Sequence, residues 1–320
     1  MKIDKLKIKL NNNINILKNF GFKLAFYDFL TQIIFRKRNN YISKKIYFLQ
    51  HENVKKYLIK KYEYIVDETK VKSEICDNIE ADCPIFIFWW QGLENAPIIV
   101  KKCIESIKEH SGKHEVIMIS KDNYEKYADI PQYIKDKIRN GIISLTQFSD
   151  ILRVSLLYKN GGIWLDSTVF LNKDIDKNVE QYKFYTVKHN LYSDYHICRG
   201  LWMGAILMSS RQNQFMKYLQ KFFFEYWKNE NWLITYLLID CVISIGYDNI
   251  SFIKEEIDRV PVNNTDVFFI ENNLNNVYDD KIINMKQSQT YMFKLNYKRK
   301  YLTEKNGKET FYGKILRSYE

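Results

Sequence analysis

The sequence predicts an α/β protein in which a mostly parallel sheet is flanked by helices and preceded by an α-helical extension. Three observations carry that expectation. From residue 85 onward, apolar runs too short for helices alternate with longer segments at helical spacing, the pattern of a parallel sheet covered on both faces. A chain of 320 residues is long enough to bury a large core. Charge also divides the chain, because residues 1–61 hold fifteen Lys or Arg against three acids, a net +12. Residues 62–320 therefore sum to about −1 of the formal +11. The division expected is a basic helical extension over 1–80 and an α/β domain over 81–320.

Taken in order, Ile14 to Phe35 and Lys44 to Lys61 read as helices, and the polar stretch 68–82 as a linker. Ile85 to Trp90 reads as a strand, and Pro97 to His110 as a helix with proline at its start. Glu115 to Ile119 is a second strand. Tyr124 to Ala128 and Gln132 to Arg139 are short helices, the latter ended by Gly141. A helix around Phe148 follows, capped by Thr146 or Ser149. Phe148, Ile151, Leu152, Ser155 and Tyr158 form one of its faces, and Gly161 or Gly162 supplies its stop. Ile163 to Leu165 is too short for a helix and too apolar for a loop, so a buried strand is expected. Further strands fall at Phe184 to Val187 and Ala205 to Met208, and long helices at Phe215 to Trp227 and Trp232 to Ile245.

Candidate chemistry concentrates in FSDILRVSLLYKNGGIWLDSTVF, Phe148 to Phe170. Asp150 and Arg153 stand one helical turn apart, and Asp166 falls at the carboxyl end of a strand, where open α/β sheets bind ligands. Singly, Asp150 and Arg153 could be an exposed ion pair worth roughly 0.2–0.5 kcal/mol, and Asp166-Ser167-Thr168 an ordinary turn. In this order they point to one cleft suited to a phosphorylated sugar, with carboxylates for hydroxyls and a cation for a diphosphate.

The segment resembles the sugar-binding region of glycosyltransferase family 32 and, more closely, the related bacterial capsular polysaccharide synthesis glycosyltransferases. Ser149-Asp150 with Arg153 matches their S-D-x-x-R, Leu157-Tyr158 with Gly161-Gly162 matches L-Y-x-x-G-G, and Asp166 matches their acidic motif. The likeness extends to PIFIFWWQGLENAP (Pro84 to Pro97), FYTVKHN (Phe184 to Asn190) and the aromatic run from Phe222 to Asp240.

This resemblance implies a GT-A fold over residues 81–320. The activity implied is hexose transfer from a nucleotide-diphosphate sugar, a UDP-sugar rather than a GDP-sugar. The acceptor would be a growing surface polysaccharide or a lipid-linked glycan, with retention of configuration. It also implies catalytic roles for Asp150, Arg153, Asp166 and Asp240. Nucleotide-sugar contacts are expected from Trp89, Trp90, Gln91, Gly92, Gly162, Ser167, Thr168 and His189. One of the two tryptophans is expected to stack on the base, since neighbouring strand residues face opposite ways. Asp166 and Thr168 are the expected ligands of Mn2+ or Mg2+. Where many GT-A enzymes have Asp-x-Asp, this chain has Asp166-Ser167-Thr168, and losing one carboxylate weakens a hard-cation site. Without a metal, Asp166 would bind ribose and sugar. The alternative is a catalytically weak sugar-nucleotide-binding component of the assembly complex.

Lesser candidates are Lys188 and Arg199 as phosphate contacts, and Thr310-Phe311-Tyr312-Gly313 with Lys314 as a loop closing over the diphosphate. The five cysteines (Cys76, Cys83, Cys103, Cys198, Cys241) form no C-x-x-C pair and have no zinc spacing. No stretch reaches the ~18–20 apolar residues of a membrane-spanning helix, and the N-terminus lacks the apolar core of a signal peptide. A cytoplasmic protein is expected. The run Phe20 to Phe35, followed by Arg36-Lys37-Arg38, fits an interfacial helix on an anionic bilayer at the inner face of the plasma membrane. It also fits a helix packed on the catalytic domain. Nucleic acid is not an expected partner, because the basic patch carries no reading motif.

Overall fold

A computed structural model describes residues 2–34, 40–71, 77–191, 195–287 and 289–318. Arg36-Lys37-Arg38, Cys76 and part of the expected 68–82 linker lie outside them. Five strands form the main sheet: β1 (Ile85–Phe88), β2 (Val116–Ile119), β3 (Gly162–Leu165), β5 (Phe184–Thr186) and β6 (Ile206–Ser209). Their order is β2-β1-β3-β6-β5. β1 runs parallel to β2 and β3, and β6 is antiparallel to both β3 and β5. β4 (Val169–Leu171) pairs antiparallel with β7 (Met292–Lys294), and β8 (Glu304–Lys305) forms a hairpin with β9 (Lys308–Glu309). A mostly parallel sheet flanked by helices, with a helical N-terminal region, is therefore the architecture.

The helices are α1 (Lys2–Phe20), α2 (Phe22–Ile34), α3 (Tyr41–Lys70), α4 (Ile98–Glu109), α5 (Tyr124–Tyr127), α6 (Gln132–Arg139) and α7 (Leu145–Asn160). After the sheet come α8 (Gln214–Asn229), α9 (Leu238–Asn249), α10 (Ser251–Arg259), α11 (Phe269–Asn273), α12 (Asp280–Gln287) and α13 (Phe311–Arg317). α4 buries Ile99, Val100, Cys103, Ile104 and Ile107 and packs on β4. α7 is buried from Gln147 to Leu157 except at the half-buried Ser149, and packs on β1, β3 and β6, with α8 behind it.

Two features place the site. From β1 the chain crosses through α4 to β2 on one side, then returns through α7 to β3 on the other. The carboxyl ends of β1 and β3 thus flank a topological switch point, where such sheets leave a crevice. The second feature is the tight α7–β3 corner. Gly161 ends α7 with φ +68°, and Gly162 enters β3 with φ +110°. A Cβ on Gly162 would stand 2.4 Å from the Pro84 carbonyl oxygen, so glycine lets β3 lie against the residue that leads into β1.

Several boundaries differ from expectation for local reasons. α7 starts at Leu145, because Ser144, rather than Thr146 or Ser149, is the cap and accepts from the Gln147 N–H at 3.3 Å. The segment expected as one helix from Ile14 breaks at Gly21, with φ +89°. α3 runs to Lys70, bending at Tyr62. The helix expected from Trp232 begins only at Leu238. Before it, the Tyr226 hydroxyl donates to the Trp232 carbonyl at 2.7 Å and accepts from the Ile234 N–H at 2.9 Å, holding that stretch as a loop.

α1 packs on α2, α2 on α3, and α3 on α8 and α9. Ile16, Phe20, Leu24, Val54, Leu58, Tyr62 and Ile65 join the same core as the sheet. Lys55 reaches Asp248 and Lys61 reaches Glu230, each at 2.5 Å, so part of the extension's positive charge is neutralised within the molecule.

Candidate active site

A cleft of about 500 Å³ opens at the carboxyl ends of β1 and β3. Asp150, Arg153, Asp166, Ser167, Thr168, Asp240, Trp89, Trp90 and Gln91 all line it. Sheet geometry brings them together: β1 ends at Phe88 and hands Trp89-Trp90-Gln91 to the rim, while β3 ends at Leu165 and hands over Asp166. The Asp166 N–H donates to the Ala205 carbonyl at 2.9 Å, fixing the turn to the start of β6.

Arg153 is the centre of the cleft floor and is 6% exposed. Its Nη2 lies 3.1 Å from Asp150 Oδ1 and 3.4 Å from Asp166 Oδ1, and donates to Ser149 Oγ at 3.2 Å. Its Nε donates to the Ser149 carbonyl at 3.4 Å, and Nη1 donates to the Gly204 carbonyl. The guanidinium also lies 5.2 Å over the Trp164 ring. With its donors turned onto protein oxygens, Arg153 orients the two carboxylates on either side of it. A Cβ at Gly204 would stand 3.1 Å from Nη1, so a side chain there would have to shift the guanidinium by a few tenths of an ångström.

The three carboxylates differ in environment. Burial pushes the Asp150 carboxyl up to about 7 despite the opposing pull of Arg153, with Asp166 and Asp240 adding to the rise. Asp240, in the first turn of α9, is pushed up to about 6, again by burial. The Trp202 indole N–H, donating to its Oδ1 at 2.8 Å, pulls the other way. Asp166 is the open one, with its side chain 27% exposed. It accepts from the Trp164 indole N–H at 3.0 Å.

Both tryptophans expected to meet the nucleotide-sugar line the cleft. The strand stops at Phe88, so strand alternation no longer governs residues 89 and 90. Trp90 packs against Tyr124 and Phe148, and Trp89 meets the edge of Tyr297 at 5.3 Å.

Several expected contacts lie elsewhere. His189 is not in the cleft: it is buried, its Nδ1 accepts from the Leu191 N–H at 3.0 Å, and its ring meets Phe268 at 5.6 Å. Burial lowers its pKa to about 4, so it is neutral. Gly162 is buried at the amino end of β3, against Pro84, at the opposite end of the strand from the cleft. Gly92 shapes the turn after Trp89 without lining the cavity, its N–H donating to the Trp89 carbonyl at 3.0 Å. Lys188 donates to the Val260 carbonyl at 3.1 Å beyond the end of α10, and Arg199 lies 3.7 Å from Asp248. Thr310 caps α13, and Lys314 lies over Tyr278. Neither residue closes the cleft.

Sequence reasoning missed the opposite wall. Lys294, Asn296, Tyr297 and Lys298 line it, as do Tyr236 and Leu237 from the loop before α9. The β4–β7 register sets Lys294 opposite Val169, and the Leu295 N–H donates to the Thr168 carbonyl at 2.8 Å. The Lys294 ammonium donates to Thr168 Oγ1 and lies 3.5 Å from Asp166 Oδ2.

That placement bears on the expected metal. A hard divalent cation takes several oxygen ligands. Here Asp166 Oδ1 faces Arg153 and Trp164, while Oδ2 and the Thr168 hydroxyl face Lys294. Among the described residues, no three His, Cys, Asp or Glu side chains are grouped to hold a metal ion. Both oxygens that Asp166 and Thr168 would offer a cation on that side therefore already face the Lys294 ammonium.

A profile described as capsular polysaccharide synthesis protein matches residues 35–315. The chain belongs to that family. The match begins inside the basic region and takes in α3. No curated protein matches. Among solved structures, the apo form of the bifunctional glycosyltransferase WbbM is similar over 77% of this chain, at 11% identity and a TM-score of 0.40. The match covers 51% of that chain, so the present chain spans about half its length.

Proposed function

We propose that this family member is a glycosyltransferase of GT-A type. It moves a hexose from a nucleotide-diphosphate sugar, preferably a UDP-sugar, to a growing capsular polysaccharide or lipid-linked glycan. The observation that carries the reading is convergence: Asp150, Arg153 and Asp166, read from sequence as one constellation, share a single cleft with Trp89, Trp90 and Gln91. The tryptophan rim takes the base, Asp166 and Ser167 the ribose and sugar, and Asp150 and Asp240 the sugar hydroxyls. Arg153 keeps the carboxylates in register.

The reaction is a front-face displacement with retention. The acceptor hydroxyl oxygen forms the new bond to the anomeric carbon while the bond from that carbon to the diphosphate oxygen breaks. The electron pair leaves with the diphosphate, which takes up the acceptor's proton. Cationic side chains aimed at the departing oxygens contribute most when the charge develops there. Release of nucleoside diphosphate from a panel of UDP- and GDP-sugars tests the reading. Tight binding with no turnover of any donor would favour the binding-component alternative, which Thr168 in place of a second carboxylate also suits.

The division near residue 80 is read as functional, with an anionic bilayer as partner of the extension. Leu10, Ile14 and Leu17 on α1, and Phe22, Phe26 and Phe29 on α2, are exposed at i, i+4, i+7 spacing. The opposite faces of these helices bury Ile16, Phe20, Leu24 and Ala25. Exposed Lys9, Lys18 and Lys23 accompany the apolar side chains. An apolar stripe with flanking lysines suits an interfacial helix on anionic lipid. Among the described residues no helix is long and apolar enough to cross a membrane.

A further inference from the structure

We propose that the Lys294 ammonium takes the place of a divalent cation, so that this protein binds its donor diphosphate and stabilises its departure without a metal. The inference rests on the glycosyltransferase reading above and deepens it. Asp166-Ser167-Thr168 puts a hydroxyl where a second carboxylate would complete a cation site. The structure sets a positive side chain on that hydroxyl and on the remaining carboxylate at once. The backbone that carries Lys294 is fixed on this wall of the cleft. Its backbone N–H donates to the Val267 carbonyl at 2.8 Å, and its strand is locked to β4 by pairs running from Val169 to Leu171.

The same placement disfavours a dication. An ion between Asp166 and Thr168 would face Lys294 on one side and Arg153 on the other. Its one carboxylate ligand would already be shared with both. A lysine suits the alternative task, because its compact ammonium presents three donors on a flexible stem and serves as a point charge for phosphate. Its side chain is 22% exposed to the cleft, and Lys298 lines the same wall. In the transfer step, the bond from the anomeric carbon to the diphosphate breaks and its electron pair stays on the diphosphate. Lys294 donates hydrogen bonds to that oxygen and keeps its proton, while the acceptor's proton moves to the diphosphate. No other reactant is needed.

Calorimetric titration of UDP and GDP into the full chain tests this, first in EDTA and then in excess Mn2+, with Lys294→Met and Lys294→Arg alongside. Wild type is expected to bind one of the two nucleotides in EDTA, with little change on adding Mn2+. Lys294→Met should weaken binding about 10- to 100-fold, the worth of one charge-assisted hydrogen bond. Lys294→Arg should recover part of the loss. Binding by wild type in Mn2+ but not in EDTA would overturn the proposal and leave the glycosyltransferase reading standing, as would a folded Lys294→Met that binds like wild type. Binding to neither nucleotide in either condition would remove both. The wild-type comparison decides the matter even if Lys294→Met fails to fold.

Discussion

Asp150 and Arg153 sit one turn apart on α7, yet their pairing does not keep the aspartate fully ionised. Burial outweighs the guanidinium, and the carboxyl is held near 7. A carboxyl whose pKa is raised on folding stabilises the native state fully below its unfolded value, near 4, and loses that contribution as pH rises to about 7. Asp150→Asn should therefore gain stability relative to wild type between about pH 4 and 7, as seen in thermal melts across that range. Asp166 is placed for chemistry more than for stability. Asp166→Ala should cut transfer by roughly 10²-fold or more, the scale of losing one electrostatic contact in a transition state, while the melting temperature holds. Asp150, Arg153 and Asp166 were legible because helix spacing and a strand end are local patterns. Lys294 was not, since it reaches Asp166 only through the β4–β7 pairing, which no local period announces. His189 misled because a polar loop residue in sequence can be a buried, neutral ring in space.

At the scale of elements, the corner from α7 into β3 does the positioning. Two glycines with positive φ let the helix end, turn and enter the sheet beside Pro84. Gly162→Ala would place a methyl 2.4 Å from a backbone oxygen in a conformation that side chains rarely adopt. We expect a loss of about 1–3 kcal/mol or more, the cost of such backbone strain, read as a lower denaturant midpoint. The central strands and most helices were visible as apolar runs and faces. The loop 232–237 was not, because its Trp, Leu and Ile content mimics a buried helix. Its course is set instead by Tyr226, whose hydroxyl bonds are tertiary and leave no local mark.

The whole molecule is asymmetric: a polar cleft at the carboxyl ends of β1 and β3 and an apolar, basic helical hairpin at the N-terminus. If the hairpin docks on anionic lipid, the full chain should float with vesicles containing phosphatidylglycerol and fail to float with phosphatidylcholine alone. Replacing Phe22, Phe26 and Phe29 with serine should abolish flotation while leaving donor turnover in solution unchanged. The mostly parallel sheet followed from the alternation of elements, and a site at a strand's carboxyl end from Asp166, whereas the switch point is set by a strand order that no local pattern carries. On the proposed reading, this cleft takes a nucleotide-sugar through Asp166 and its neighbours. Titrating UDP- and GDP-sugars into wild type and Asp166→Ala by calorimetry tests it most directly. Wild type is expected to bind at least one donor one-to-one, with binding lost in a variant that still melts normally. Equal binding by both proteins, or no donor bound by wild type, would contradict it.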